Sequence, residues 1–132
     1  MFFDFRYFYF PICVIHFRRL RVDNFYLVLP NVIIPNNINI TTDLSCVKES
    51  DLVVIAIPIN FFRTTCIELK EYINDSTKIC IATKGIETNT NNFCHEILES
   101  IINTTHISIL SGPTFAIDLA NNSPSGLTLA SK

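Results

Sequence analysis

From residue 51 onward, short runs of branched apolar residues alternate with segments whose apolar positions recur at helical spacing. That alternation constrains the fold of this chain more than any other feature. Leu52-Val-Val-Ile-Ala-Ile57 is continuously apolar and is stopped by Pro58, which predicts a strand over 51–58 buried on both faces. Residues 60–73 carry Phe62, Cys66, Leu69 and Ile73 at gaps of four, three and four, the signature of one helix face. A second strand is expected over 78–83. A second helix is expected over 90–102, with Phe93, Ile97, Leu98, Ile101 and Ile102 on one side. A third strand over 105–110, a short helix over about 114–121 and a last strand over 126–130 complete the pattern. Strands separated by helices pair in parallel through crossovers. The fold class is therefore α/β, a three-layered doubly wound parallel sheet. In such sheets ligands sit at the carboxyl ends of the strands, here after Ile57, Thr83 and Leu110.

Upstream of residue 51 the texture differs. Ten of the fifteen Phe and Tyr residues fall within the first 26, and the chain divides near residue 24. We read 1–23 as a divergent aromatic-rich segment and 24–132 as the domain proper. The apolar run from Tyr7 to Phe17 is too short for a bilayer, which takes about 20 residues. Asp4, Pro11 and the want of a small-residue cleavage site argue against a signal peptide. Residues 30–37, with two prolines and three asparagines, read as a loop. Residues 39–41 could form a short strand, and 43–49 one or two helical turns with Asp43 as N-cap.

Charge and rare residues narrow the function. Ten basic against twelve acidic side chains give a net charge of −2, the wrong balance for nucleic acid. The five cysteines (13, 46, 66, 80, 94) and three histidines (16, 95, 106) are dispersed without zinc-ligand spacing, so no metal site is expected. An odd number of scattered thiols suits a reducing compartment, and we expect a cytoplasmic protein with no transmembrane segment. Only Gly85, Gly112 and Gly126 are glycine, so no glycine-rich loop can cradle phosphates.

The expected strand ends offer three groups. After the first comes Pro58-Ile-Asn-Phe61, where Phe61 either presses against a flat ligand ring or packs in the core. After the second comes Thr83-Lys84-Gly85. A lysine there either attracts a phosphate or carboxylate in the crevice, with Gly85 letting the chain turn sharply, or is a solvated loop lysine. After the third comes Ser111-Gly-Pro-Thr114. Ser111 or Gly112 would cap a helix with Pro113 in its first turn and present free N–H groups beside the Thr114 hydroxyl. The other reading is an ordinary strand-to-helix turn. If the two strands are neighbours, Lys84 and this turn face one crevice.

These residues carry a resemblance. Ile81-Ala-Thr-Lys-Gly-Ile-Glu87 and Leu110-Ser-Gly-Pro-Thr-Phe-Ala116, followed by Leu119-Ala120, Pro124 and Leu127-Thr-Leu-Ala-Ser131, resemble bacterial NAD(P)-dependent glycerol-3-phosphate dehydrogenases. Asn24-Phe-Tyr-Leu27, Leu29 to Pro35 and Thr41 to Leu44 are similar to the segment before the nucleotide-side strand of that family. The resemblance implies the Rossmann-like cofactor domain, incomplete at its N-terminal edge. It implies NAD or NADP as cofactor, and glycerol 3-phosphate and dihydroxyacetone phosphate as the small phosphorylated substrate pair, in glycerophospholipid precursor synthesis. Carried over by motif, Lys84 contacts cofactor and substrate, Gly112 and Thr114 line the substrate site, and Ala116 lies against the cofactor.

The family opens with a strand and a GxGxxGT-type turn that has no counterpart in the glycine-free residues 1–23, and Val28-Leu29 reads as an insertion. The helical domain that follows in the family, with its catalytic lysine and an Arg-Asn pair for phosphate, lies beyond Lys132. The resemblance thus implies no catalytic residue in this chain. Loss of a general acid/base costs about 10²–10⁴-fold in rate, so this chain alone is expected to be silent unless another polypeptide complements it. Two alternatives are a non-enzymatic remnant or interaction module, and part of another Rossmann-type dehydrogenase.

Overall fold

The computed structural model describes residues 41–121 and 123–131, and within the first forty residues four short strands. Those are β1 (Ile12–Ile15), β2 (Arg21–Val22), β3 (Phe25–Tyr26) and β4 (Leu29–Ile33), known by their backbone pairing. A 3-10 helix, Leu44–Glu49, follows; the Asp43 carboxylate caps it by accepting from the Ser45 N–H at 2.9 Å. Then come β5 (Leu52–Ile55), α1 (Ile59–Leu69), β6 (Lys78–Ile81), α2 (Cys94–Ile101), β7 (Ile107–Ser111), α3 (Ala116–Ala120) and β8 (Thr128–Ser131).

The main sheet has the order β1-β5-β6-β7-β8. The first four strands are parallel, with Ile15 beside Ile55, Ile55 beside Ile81 and Ile81 beside Ile109. β8 departs from the parallel rule and returns antiparallel, Ser111 beside Thr128. A parallel return needs a crossover of a dozen or more residues, usually helical, and α3 supplies five residues of helix. β1 corrects the expectation that 1–23 contains no counterpart of an opening strand: it lies parallel against β5, where a doubly wound sheet has its first strand. The sequence after it, His16-Phe-Arg-Arg-Leu20, still holds no glycine. Among the described residues no strand pairs beyond β1. Residues 1–11, 16–20 and 23–24 of the aromatic block lie outside the described residues.

β2, β3 and β4 form a separate antiparallel sheet. β4 overturns part of the loop expected at 30–37. The branched pair Val32-Ile33 favours a strand, and Pro30 is tolerated because β4 is an edge, where a missing N–H costs no ladder bond. Residues 34–40 lie outside the described ones, and Thr41 is in no strand.

The core lies on one face of the main sheet. Val53, Ile55, Ile79 and Ile81 form one cluster with Phe62, Cys66 and Leu69 of α1, Ile97 and Leu98 of α2, and Val47. The helices pack on each other, so both cover this face. Leu52 and Val54 on the opposite face are only half-buried, which corrects the expectation of burial on both sides. In a doubly wound sheet the other face is covered by the helices that connect the first strand to the strands on its far side, and no such strand is among those described.

Two helix limits also differ from the spacing. α1 ends at Leu69, where the Tyr72 and Ile73 N–H groups turn back on the Leu69 carbonyl, yet Ile73 still packs on the core. α2 starts at Cys94, not residue 90, because 87–92 close into a loop. The Glu87 N–H donates to the Asn92 carbonyl, and Asn91 takes φ +58°. Phe93 therefore precedes the helix; it is 52 % exposed and stacks on His95.

Candidate functional site at the carboxyl edge of the sheet

Three loops leave the carboxyl edge of β5, β6 and β7. The first two are riveted by a residue that composition does not flag. Thr83 is buried; its hydroxyl donates to the Ile55 carbonyl and accepts from the Ile57 N–H, each at 3.2 Å. The Ala82 and Thr83 N–H groups also donate to Ile55. A buried threonine with its donor and acceptor both used is rigid as well as satisfied.

Lys84 follows, exposed. Gly85 has φ +118°, a backbone state that side chains rarely adopt. A Cβ there would also press on Ile59 at 3.2 Å. The Cys94 thiol lies 3.9 Å from the carbonyls of both Thr83 and Gly85, so it holds the turn from below. Ile86 bridges to Phe93, and Glu87 meets Arg63 of α1 in a two-pronged ion pair at 2.8 and 2.7 Å. Thr90 donates its hydroxyl to the same carboxylate. The Thr83, Glu87 and Thr90 side chains are thus engaged, while no hydrogen bond or ion pair joins Lys84 to another described residue.

The Arg63 guanidinium, and after it the Thr90 hydroxyl, hold the Glu87 carboxyl down at about 2. In the unfolded chain it would ionise near 4.5. A depressed carboxyl stabilises the fold fully above its unfolded value and loses that contribution as pH falls toward the folded one. Between pH 4.5 and 2, wild type should therefore lose more stability than Glu87→Gln, read by circular dichroism during acid titration. Parallel curves would contradict the pairing.

The third loop differs from expectation. α3 begins at Ala116 with Phe115 as its N-cap residue, so neither Ser111 nor Gly112 caps it and Pro113 precedes its first turn. The reason is local. The Thr114 N–H closes a tight turn onto the Gly112 carbonyl at 2.9 Å, and the Thr114 hydroxyl donates to the Gly126 carbonyl at 2.9 Å. Toward a ligand that hydroxyl can only accept, so it suits a donor such as an alcohol. Five residues of helix with Asp118 in the first turn make a poor anion site. Gly112 is required by close approach: a Cβ there would stand 2.3 Å from the Gly126 carbonyl. Ala116 opens α3; its side chain lies outside the described ones.

Lys84 and Gly112 are register equivalents, each three residues past the neighbours Ile81 and Ile109 on adjacent parallel strands. The structure thus brings the two turns to one edge of the sheet. Phe61, weighed as ring contact or core residue, is 46 % exposed on α1 while Phe62 takes the core position. Two concavities of about 530 and 490 Å³ lie elsewhere, one at Asn103–Ile107 and one between Asp43 and Tyr72. The buried thiols are not nucleophiles: burial pushes Cys66 up to about 12 and also raises Cys80 and Cys94. Among the described residues, Cys66, Cys80 and Cys94 are free thiols and no cluster could hold a metal.

The model of the family described as "NAD-dependent glycerol-3-phosphate dehydrogenase N-terminus" matches residues 17–132. The chain belongs to this family. A glycerol-3-phosphate dehydrogenase (NAD(P)+) of Pasteurella multocida is 36 % identical over 122 residues, covering 89 % of this chain and 36 % of the relative. The Rickettsia bellii protein of the same name is 35 % identical over 103 residues, 78 % of this chain and 33 % of its own. Among solved structures, the glycerol-3-phosphate dehydrogenase of Coxiella burnetii superposes with TM-score 0.70 at 25 % identity, over 76 % of this chain and 31 % of that one. That of Plasmodium falciparum gives 0.69 at 28 %, over 79 % and 29 %. This chain thus spans about a third of the length of the curated relatives it matches. Membership in the family sets aside the alternative of a different Rossmann-type dehydrogenase.

The family's NAD(P) is gripped, in folds of this type, by a glycine-rich turn after the first strand. Here β1 runs into a glycine-free sequence of bulky side chains. Those residues do not fit the close backbone approach to a pyrophosphate that such a turn provides.

Proposed function

We propose that residues 24–132 furnish the substrate-facing part of the cofactor domain of an NAD(P)-dependent glycerol-3-phosphate dehydrogenase. Lys84 would hold the phosphate-bearing substrate and reach the cofactor. Gly112 and Thr114 would line the substrate site, and Ala116 would lie against the cofactor. One observation carries this: the unpartnered Lys84 ammonium stands level with the Gly112–Thr114 turn on the next strand. A cation suits the phosphate of glycerol 3-phosphate or dihydroxyacetone phosphate, and an accepting hydroxyl suits the alcohol. The general acid/base would lie outside residues 24–132, so these residues by themselves would bind without turnover. A cytoplasmic place in glycerophospholipid precursor synthesis goes with that activity. Among the described residues no helix is long and apolar enough to cross a membrane.

The test is a calorimetric titration of wild type and Lys84→Ala with glycerol 3-phosphate, with and without NADH. A charged hydrogen bond contributes about 1.5–3 kcal/mol, so Lys84→Ala is expected to weaken glycerol 3-phosphate by at least about tenfold. Equal affinities would remove Lys84 from the site. The interaction-module reading draws on exposed Phe115, Ile117, Leu119 and Leu129; a monodisperse chain indifferent to NADH and glycerol 3-phosphate would favour it.

A further inference from the structure

Lys84 and Glu87 lie three residues apart in one loop and carry opposite charges. A free carboxylate so near an ammonium would pair with it, and an incoming anion would first have to displace that partner. The structure keeps them apart. Both Glu87 oxygens are taken by Arg63, whose Nε donates to Oε1 and whose Nη2 donates to Oε2. The fork comes from α1, the helix that follows the neighbouring strand, and Phe62 beside it is sunk in the core. The Glu87 backbone is fixed in turn: its N–H donates to Asn92 and its carbonyl accepts from Asn91. Planar two-pronged binding of a carboxylate is a property of arginine that lysine does not share.

We infer that Arg63 is a positioning residue: by occupying both oxygens of Glu87 it keeps that carboxylate off Lys84 and leaves the Lys84 ammonium open to an anionic ligand. This rests on the reading of Lys84 as the phosphate contact, and it makes Arg63 a determinant of anion affinity without touching the ligand. Removing the guanidinium turns Glu87 into an internal competitor; removing both charges abolishes the competitor.

The experiment uses the full chain in four further forms: Arg63→Gln, Glu87→Gln, the double variant, and Lys70→Gln as a control that removes the same charge from the other end of α1. Glycerol 3-phosphate affinity is measured by calorimetry. Acylation of Lys84 by acetic anhydride is followed in parallel by peptide mass spectrometry. Arg63→Gln is expected to weaken glycerol 3-phosphate about fivefold, the scale of an exposed ion pair, and to slow Lys84 acylation. The double variant should recover both, although its thermal stability stays below that of wild type because it lacks the Arg63–Glu87 ion pair. Glu87→Gln should bind at least as well as wild type, and Lys70→Gln like wild type.

A double variant no better than Arg63→Gln would make Arg63 a merely structural residue and overturn the inference. Equal loss in Lys70→Gln would reduce it to net charge and do the same. If no protein binds glycerol 3-phosphate, the function proposed above fails, while the acylation rates still decide whether Arg63 shields Lys84 from Glu87.

Discussion

Phe62→Ala is expected to lower the free energy of unfolding by about 3–5 kcal/mol. The ring is fully buried in the cluster that joins α1 to β5, β6 and α2. Its removal forfeits the transfer energy of an aromatic side chain and leaves a cavity that the sheet beneath cannot close. Single domains are typically stable by about 5–15 kcal/mol, so this one change should consume a large part of the margin. In urea denaturation the midpoint should fall at nearly constant slope. Phe61→Ala is the comparison, because its ring is 46 % exposed; a loss of about 1 kcal/mol is expected there. Equal losses at 61 and 62 would mean that α1 presents a different face to the sheet.

Gly112→Ala should be severely damaging for a change of a single methyl group. The added carbon would meet the Gly126 carbonyl at 2.3 Å and the Leu127 Cα at 3.1 Å, both backbone atoms. No rotamer relieves such a clash, so the 126–127 segment must move. That segment leads into β8, paired with β7 from Ser111–Thr128 onward, and it accepts the Thr114 hydroxyl. Overpacking costs typically about 1–3 kcal/mol and occasionally more; the upper end is expected here, with faster hydrogen exchange in β8. Gly126→Ala is the control: a Cβ there meets nothing within 4 Å, and stability should stay within about 0.5 kcal/mol. If Gly112→Ala folds and exchanges like wild type, the packing of the 112 turn on 126 is wrong, and the placement of Thr114 goes with it.

How much was legible follows from the range of the forces involved. The Leu52–Ile57 run and the Phe62-Cys66-Leu69 spacing announce β5 and α1, because a strand or helix must bury its own apolar residues wherever it packs. The Asp43 cap was visible for the same reason: its bond spans two residues. The helix after β7 starts later than local capping preferences place it, because Thr114 is bound by a carbonyl twelve residues away. Thr83 reads locally as a plain strand terminus, since its partners are Ile55 on another strand and Ile57 just after it. Arg63 and Glu87 are 24 residues apart and nothing in their spacing couples them. β1 was hidden because the turn that normally advertises a first strand is missing; only its pairing with β5 reveals it.

The chain's sequence alone determined its α/β class, its main core residues and the two short motifs that tie it to a dehydrogenase family, since each depends on residues close together along the chain. Tertiary structure decided which strands are neighbours, that the last one runs backward, which of two adjacent phenylalanines is inside, and that Lys84 keeps an open charge while Glu87 beside it does not. Those are outcomes of contact between distant segments, where hydrogen bonds and ion pairs form only once the sheet has brought their partners together.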